Sequence, residues 1–224
     1  MLCAKGAYPR TIACGCEVCS DLCNREAITM KMNAEGFVYP IVDSNKCVNC
    51  GRCLSVCPIL NSKFNNHEPK AYAAKNIDEG IRMKSRSGGV FPALAERIIS
   101  MNGTVYGAVF DNDFYVKHVR ADNIADCKPM QGSKYIQSRM HGVLNNILTD
   151  LSAGKCVMFS GTSCQVQAIK QAVPKKYHDK LFLVDIVCHG VASPLIWKDF
   201  IQMIALHNLG KITGVNFRNK NKYG

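Results

Sequence analysis

Cys47-Val-Asn-Cys50-Gly-Arg-Cys53-Leu-Ser-Val-Cys57-Pro58 is the most informative run near the amino end of this chain. Its four cysteines are separated by two, two and three residues, and a proline follows the last one. Short loops of this kind direct three thiolate sulfurs at one iron–sulfur cube, while the fourth cysteine turns away to a neighbouring cube. The alternative, a tetrahedral zinc site, usually uses two separated Cys-x2-Cys pairs. The run therefore predicts a [4Fe–4S] cluster.

An earlier and less regular cysteine run is Ala13-Cys14-Gly15-Cys16-Glu17-Val18-Cys19-Ser20-Asp21-Leu22-Cys23-Asn24. Its last three ligand positions hold cysteines, but Ala13 stands at the first position and Cys14 comes one residue late. Three outcomes are compatible with this pattern: Cys14 moves into place, Cys3 substitutes for it, or the cluster is three-ligand, labile or absent. We favour Cys14.

Crossing of ligands between the two runs, as in two-cluster ferredoxins, predicts the ligand sets of both clusters. The first cluster would be held by Cys14, Cys16, Cys19 and Cys57. The second cluster would be held by Cys47, Cys50, Cys53 and Cys23.

The distribution of cysteines and charges restricts the class of protein. Nine of the 13 cysteines lie between Cys3 and Cys57, and residues 1–15 lack the apolar core of a signal peptide, so we expect a cytoplasmic metalloprotein without disulfides or a transmembrane segment. The formal net charge of +11 favours an acidic small-molecule electron carrier or cofactor, such as one bearing phosphates. Nucleic acid is not expected as a partner, because the basic residues are dispersed until residues 218–222.

Beyond a polar linker at residues 62–69, strand and helix patterns alternate. The patterns predict a helix through residues 91–99, a hairpin of residues 104–110 and 114–120, a helix through 143–151, and a long helix from Pro194 with Ser193 as its cap. Buried strands are expected at 155–160 and 181–187, with a short helix between them, so these strands form a parallel unit. Shorter strands are expected at 71–74 and 212–217.

Two loops follow the buried strands and carry the candidate catalytic residues. Gly161, Thr162, Cys164 and Gln165 follow the first strand, and Cys188 and His189 follow the second. Open sheets bind ligands at the carboxyl ends of parallel strands, so neighbouring strands would bring Cys164 and Cys188 to one crevice. Taken one at a time, these cysteines are more typical of small buried residues. Their position at the same sheet edge, beside glycine and a polar residue, favours a functional role.

Two glycine-containing segments are candidates for binding a phosphate-bearing cofactor. Ser87-Gly88-Gly89 precedes a helix, so its backbone N–H groups could hold a phosphate, although such a segment is often only a helix cap. Gly132-Ser133-Lys134-Tyr135 is the second candidate, and its alternative is a simple turn.

Together these segments resemble one known family, the beta subunit of coenzyme F-420 hydrogenase/dehydrogenase joined to an N-terminal 2[4Fe–4S] ferredoxin domain. The matching stretches are Glu35 to Pro40, Cys47 to Pro58, Ser87-Gly88-Gly89, Gly132 to Tyr135, Phe159 to Gln165 and Asp185 to Gly190. Similar proteins are flavoproteins that bind FAD and pass electrons between it, iron–sulfur clusters and a partner subunit or deazaflavin substrate.

The resemblance implies an α+β fold, with a ferredoxin-like iron–sulfur domain followed by an α/β domain that has a partly parallel sheet. The implied limits are 1–62 for the cluster domain, 68–150 for the N-terminal region of the beta subunit and 151–224 for the start of its C-terminal domain. The family usually has cysteine where Ala13 stands and proline where Ser163 stands. Its members continue well beyond residue 224, so we expect a truncated domain.

The resulting prediction is an iron–sulfur flavoprotein oxidoreductase with two [4Fe–4S] clusters, FAD and a redox partner protein or subunit. Its acceptor would be a deazaflavin or another carrier. The alternative is a non-enzymatic electron-transfer module without a competent flavin site, which Ala13, Ser163 and the early end favour. A zinc-binding interaction protein is the third hypothesis.

Overall fold

The computed structural model describes residues 13–61, 68–207 and 210–217. Cys3, the alternative cluster ligand, lies outside the described residues, and so do most of the expected linker and the basic segment 218–222.

The amino-terminal module consists of a β-hairpin and two one-turn helices. Its elements are α1 (Val18–Asp21), β1 (Ile28–Met32), β2 (Val38–Val42) and α2 (Arg52–Ser55). The two strands pair antiparallel, from Ile28 opposite Val42 to Met32 opposite Val38. The turn between them is closed by Asn33, whose Oδ1 accepts a hydrogen bond of 2.8 Å from the backbone N–H of Phe37. This hairpin separates the two cysteine runs along the chain.

The next part of the chain contributes one helix that packs on the sheet and the first two strands of that sheet. Its elements are α3 (Glu79–Lys84), α4 (Val90–Ser100), β3 (Thr104–Phe110), β4 (Val116–Ala121) and α5 (Ile124–Cys127). The helix and the antiparallel hairpin predicted here are both confirmed. Helix α4 turns its buried residues, Ala95 and Ile98, toward β3 and β5.

The remaining elements complete a four-stranded mixed sheet. They are α6 (Val143–Ser152), β5 (Val157–Thr162), α7 (Ser163–Ala172), β6 (Leu181–Ile186) and α8 (Pro194–His207). The strand order is β4-β3-β5-β6, with β4 antiparallel to β3 and the other neighbours parallel. The parallel β5-α7-β6 unit and the Ser193 cap, whose Oγ accepts from Ile196 N at 3.3 Å, are as predicted. The α+β fold is thus confirmed.

Helices cover both faces of the sheet, and the cysteine module shares one of the resulting cores. Leu144, Ile147 and Phe159 are buried where α6 and α7 meet the sheet, and Val18 and Val56 of the cysteine module pack into the same cluster. Because burial of apolar side chains drives association, this shared core holds the cysteine loops against the sheet. The domain limits drawn from the sequence stay predictions.

Two short strands expected from the sequence are wrong. Residues 71–74 are exposed and join no sheet. Residues 212–217 form no ladder either, because Val215 and Phe217 pack by their side chains against an aromatic cluster around Phe110 and Trp197. An apolar run predicts burial, but burial is available without strand pairing.

Candidate cluster and cofactor sites

The cysteines of the two runs line two separate cavities. The first cavity is lined by Cys14, Cys16, Cys19 and Cys57. The second cavity is lined by Cys23, Cys47, Cys50 and Cys53. Each cavity therefore receives three cysteines from one run and one from the other. This is the partition that crossing of ligands predicts.

Packing of α1 against α2 produces this exchange. Both helices are a single turn, so the residue after each turn lies beside the opposite run. Cys57 follows α2 and reaches the first cavity, whereas Cys23 follows α1 and reaches the second. Gly51, at a φ of 73°, starts α2 in the left-handed region that glycine adopts without strain.

The first cavity is deeply buried. The side chains of Cys16, Cys19 and Cys57 are each at most 9% exposed. Burial raises the pKa of Cys19 to about 12, so its thiol is favoured until a bound cation stabilises the thiolate. A site of this kind excludes water from whatever it binds.

Two buried carboxylates fasten the loop of the first cavity to the α/β sheet. Glu17, which is 1% exposed, accepts hydrogen bonds from Arg139 Nε and from the backbone N–H of Met140 at 3.2 Å. Burial raises the pKa of Glu17, and the Arg139 guanidinium opposes that shift.

Asp21 provides the second anchor at the amino end of α6. Its carboxylate accepts from Gly142 N at 2.8 Å and from Leu144 N at 3.1 Å. These N–H groups have no partner within the helix, so an acidic side chain stabilises them and the helix dipole together. Neither Glu17 nor Asp21 was singled out as a candidate in the sequence. Both contacts span more than 120 positions along the chain.

The second cavity lies closer to solvent. Cys50 is exposed, Cys47 and Cys53 are half-buried, and the neighbouring Val48 is 58% exposed. The backbone N–H of Ala27 donates to Cys23 Sγ at 3.4 Å. Hydrogen bonds to sulfur and solvent exposure both affect the reduction potential of an iron–sulfur cluster.

The residues present fit two iron–sulfur clusters. Four cysteine sulfurs line each cavity, which is the donor set of a [4Fe–4S] cube. Across the described ranges, no three His, Cys, Asp or Glu side chains converge on a position for a single metal ion. The individual ligand assignments stay predictions.

A much larger cavity of about 460 Å³ opens beside the first cysteine loop. It begins where β3 and β5 separate, since their pairing ends at Tyr106 opposite Phe159. A volume between about 300 and 1,000 Å³ is typical of small-molecule sites. The candidate residues that line it are Ser87, Gly89, Gly132, Ser133, Lys134, Gly161, Thr162, Cys164, Gln165 and Cys188.

Other candidate residues lie outside this lining. Gly88 packs against the backbone of Ala74, and the ring of Tyr135 lies edge-on to Phe217 at 5.1 Å. His189 is exposed beside Cys188. The roles predicted for these three residues gain no support from their positions.

One wall of the large cavity is cationic. Lys134 Nζ donates to the backbone carbonyls of Pro129 and Gln131 at 2.7 and 3.3 Å, and burial together with the nearby Arg86 lowers the Lys134 pKa to about 8. Helix α4 begins after Gly89 on this wall, without a side-chain cap. Two cations and a helix amino terminus form a suitable site for a phosphate.

The opposite wall is built by the loop after β5. A capping box starts α7: Gln165 Oε1 accepts from Thr162 N at 3.0 Å, and its Nε2 donates to Ser138 Oγ at 2.8 Å. Cys164 Sγ lies 3.2 Å from Thr162 Oγ1 and is hydrogen-bonded to Cys14. The neighbouring strands β5 and β6 bring Cys188 to the same cavity.

Cys14 and Gly15 line both the large cavity and the first cysteine cavity. Gly15 has a φ of 67°, and a Cβ there would collide with Gln137 Nε2. Only glycine fits between the two cavities at this point. A cluster in the first cavity and a molecule in the large one would be separated by this thin wall.

Among the lining residues that sequence reasoning missed are Arg86, His118 and Gln137. Arg86 adjoins the predicted Ser87-Gly88-Gly89 segment, so a charge next to that segment was an available signal. His118 and Gln137 gave none, because each reaches the cavity through long-range packing.

The fold and the sites together define an iron–sulfur redox protein with an attached cofactor-sized cavity. Residues 13–60 match the family model for a 4Fe-4S dicluster domain. Residues 154–224 match the family model for the C terminus of the coenzyme F420 hydrogenase/dehydrogenase beta subunit. The two matches support the resemblance to the coenzyme F420 hydrogenase/dehydrogenase beta-subunit family that the sequence indicates.

Among solved structures, the chain is similar to one from the F420-reducing [NiFe] hydrogenase complex of Methanosarcina barkeri. The identity is 23% and the TM-score is 0.45, with 61% of this chain and 49% of that chain covered. The present chain therefore spans about half the length of that relative. None of the curated proteins matches it. Within the described residues, no helix is both long and apolar enough to cross a membrane.

Proposed function

We propose that this chain is an electron-transfer subunit in which two [4Fe–4S] clusters exchange electrons with FAD bound in the large cavity. One observation supports the proposal most directly: Cys14 and Gly15 line both the first cysteine cavity and the large cavity. The family match and the dicluster match support the same redox role.

The cysteine loops would position the clusters in sequence. The second cavity is near solvent, and the first is buried against the large cavity. Glu17 and Asp21 fix the first loop to the sheet, so its distance from the large cavity is held constant. Such fixed spacing is the main contribution of a protein to electron transfer between its cofactors.

The cationic wall would hold the phosphates of FAD. Arg86, Lys134 and the amino end of α4 supply positive charge and N–H donors at one place in the cavity. Their arrangement suits a dianionic pyrophosphate better than an uncharged ligand. The net charge of +11 is consistent with an acidic cofactor and an acidic electron carrier.

When bound, FAD would supply hydride exchange with a substrate and single-electron exchange with the clusters. Cys164 and Cys188 line the cavity, so they would be the residues that contact reacting groups. His189 is exposed beside Cys188 and would contact a substrate only at the cavity mouth. Coenzyme F420 is the first acceptor to test, because the matched family carries its name.

A partner protein would exchange electrons at the second cluster. Cys50 is exposed, and Val48, Ile59 and Leu60 are each more than 40% exposed nearby. Apolar groups beside a redox centre near the surface are typical of a site where another protein docks. The second cluster would then be the point at which electrons enter or leave the chain.

Cofactor analysis of anaerobically purified protein tests this proposal. We expect iron and sulfide for two clusters together with FAD, and oxidation by coenzyme F420 of the reduced protein. Clusters without flavin would support the electron-transfer module that lacks a flavin site. Zinc without sulfide would overturn the redox function altogether.

A pair of lysine variants tests the phosphate wall. Lys134→Met should weaken FAD binding about tenfold or more, since one charge-assisted contact is lost. Lys176→Met is the matched control, because Lys176 lies outside the cavity against the ring of Tyr177. Equal FAD affinities of the two variants would place the phosphates elsewhere.

A further inference from the structure

His118 lies on the wall of the large cavity at the point where β3 and β5 separate. It belongs to β4, and its ring extends to β5, where Nε2 lies 3.1 Å from the carbonyl oxygen of Ser160. A carbonyl oxygen only accepts hydrogen bonds, so Nε2 must carry the proton. This bond fixes the tautomer and leaves Nδ1 with a lone pair.

The ring of His118 is held in one orientation, and one of its nitrogens has no partner. The ring stacks on Phe159 with a centroid distance of 5.3 Å and an angle of 19°, and the residue is 8% exposed. Within the described residues, Nδ1 is buried without a hydrogen-bond partner. Buried acceptors in folded proteins nearly always have a partner, so an unpaired one in a residue that lines a cavity points to a ligand that completes it.

His118 is also at the end of the cavity nearest the first cysteine loop. Its backbone N–H donates to the carbonyl of Arg139 at 2.8 Å. Gln137 lies two residues before Arg139, and its side-chain amide exchanges two hydrogen bonds with the backbone of Val38, at 2.7 and 3.0 Å. The same amide adjoins Gly15 of the first cysteine loop. The redox-active part of a cofactor belongs at this end, next to the cluster.

The imidazole is neutral at physiological pH. Burial, together with the nearby Lys134 cation, lowers the His118 pKa to about 4. The only other ionisable side chains of the described cavity wall are Arg86 and the cysteines. No Asp or Glu is among those lining residues, so no negative charge there stabilises the protonated imidazolium. Nδ1 of the neutral ring is therefore an acceptor, which requires an N–H or O–H donor from a ligand.

We propose that His118 is a positioning residue that accepts, at Nδ1, a hydrogen bond from the ring N–H of an oxidised flavin in the large cavity. The proposal rests on the proposed function. The oxidised isoalloxazine ring has a single N–H group, at N3. An acceptor of fixed direction would therefore set the orientation of the ring relative to the first cluster.

Two substitutions separate the two nitrogens of this histidine. In His118→Gln the amide can still donate to Ser160 from the position of Nε2, but the acceptor at Nδ1 is lost. In His118→Asn the acceptor near Nδ1 is kept, but the bond to Ser160 is lost. FAD affinity is measured by fluorescence quenching on cluster-containing protein from which the flavin has been removed, and Tm is measured without flavin.

We expect His118→Gln to weaken FAD binding about tenfold with little change in Tm, which corresponds to one lost hydrogen bond. His118→Asn should keep FAD affinity within about threefold and lower Tm, since one buried hydrogen bond of the sheet is lost. If His118→Gln binds FAD like the wild type, Nδ1 contacts no flavin and the inference is overturned.

FAD methylated at N3 identifies the donor on the flavin. It should bind the wild type about tenfold more weakly than FAD, and it should bind His118→Gln as well as FAD does. Equal binding of both flavins to the wild type would overturn the assignment to the ring N–H. A wild type that binds no flavin at all would overturn the proposed function, and this inference with it.

Discussion

The two cysteine loops have similar sequences and opposite environments. In the first loop Cys16 and Cys19 are buried, and two carboxylates fasten the backbone to the sheet. Cys14 of this loop also lines the large cavity. In the second loop Cys50 and Val48 are exposed, and Gly51 has open space around it. Two similar groups of cysteines thus lie in a buried cavity beside the large cavity and in a second cavity near solvent.

In the proposed electron transfer, this difference would give the two sites different tasks. A cluster near solvent exchanges electrons readily with another protein, whereas a buried cluster is protected from water and oxidants. Burial and hydrogen bonding also change the potential of a cluster, so the two sites would differ in redox behaviour as well as in access. The direction of electron flow then depends on the partner and the acceptor.

The largest expected effect is the loss of one chosen cluster. Cys57→Ala should remove the buried cluster and Cys23→Ala the exposed one, because their side chains line opposite cavities. Each variant should keep roughly half of the iron, consistent with one of two four-cysteine clusters. The cluster that remains should be bleached by an iron chelator quickly in Cys57→Ala and slowly in Cys23→Ala.

Cys156→Ala is the control for these cysteine variants, since Cys156 lines neither cysteine cavity and should be dispensable for iron. Bleaching rates in the reverse order would show that the ligands do not cross between the runs.

The next effect is the pH dependence of stability that arises from His118, a buried residue on the wall of the large cavity. His118 resists protonation in the folded chain down to pH about 4, whereas the unfolded chain binds that proton near pH 6.5. The contribution of His118 to the free energy of unfolding is therefore constant above about pH 6.5 and decreases as the pH falls from 6.5 to 4, by up to about 3 kcal/mol.

His118→Gln removes this contribution, so the free energies of unfolding of variant and wild type should converge or cross over that pH range. Urea unfolding at a series of pH values measures the difference, and cluster loss in acid cancels because it is common to both. Parallel pH profiles would mean that His118 titrates normally.

A smaller effect is expected at the anchor of the first loop. Arg139→Met leaves the Glu17 carboxylate buried without its guanidinium partner. We expect a loss of about 2–3 kcal/mol, below the usual range for a buried pair because Arg139 itself is half exposed. The buried cluster should then bleach faster, while the exposed cluster keeps its rate.

Asp122→Asn is the matched control for Arg139→Met. It removes an exposed partner of Arg120 on the surface of the sheet and should change neither stability nor bleaching. If Arg139→Met accelerated bleaching of both clusters equally, the two loops would not be independently anchored.

The smallest effect compares one glycine from each loop. Gly15 and Gly51 have φ values of 67° and 73°, so alanine is strained equally at both positions. A Cβ at Gly15 would also lie 2.6 Å from Val38 O, whereas one at Gly51 meets nothing within 4 Å. We expect Gly15→Ala to be the more destabilising by about 2 kcal/mol, measured by thermal unfolding.

Equal effects of the two glycine substitutions would show that only backbone strain matters in these loops. A larger effect of Gly51→Ala would reverse the assignment of the tightly packed loop.

Local patterns predicted much of the fold. One helix was predicted from the spacing of Phe91, Ala95 and Ile98, and one hairpin from the turn at residues 111–113. Both predictions succeeded because each element depends on residues only a few positions apart. The strand expected at 212–217 was wrong for the complementary reason. Its apolar side chains pack against Trp197, and no local signal distinguishes that contact from strand pairing.

The candidate site shows the same division. Cys164 and Cys188 each follow a buried strand in the sequence, and both line the large cavity as predicted. The prediction succeeded because neighbouring parallel strands end at the same edge of a sheet. His189, which follows the edge strand, is exposed and lies outside the cavity lining. His118 was missed entirely, as its partner at Ser160 is 42 positions away.

The sequence by itself determined that closely spaced cysteines form two groups, because loops of two or three residues leave their sulfurs few positions to reach. Only the tertiary structure decided that one group is buried and shares a wall with a large cavity while the other faces solvent. That difference depends on contacts such as Glu17 with Arg139 and Cys14 with Cys164, which join segments more than 100 positions apart. The packing of a shared core brings such segments together, and spacing along the chain does not specify it.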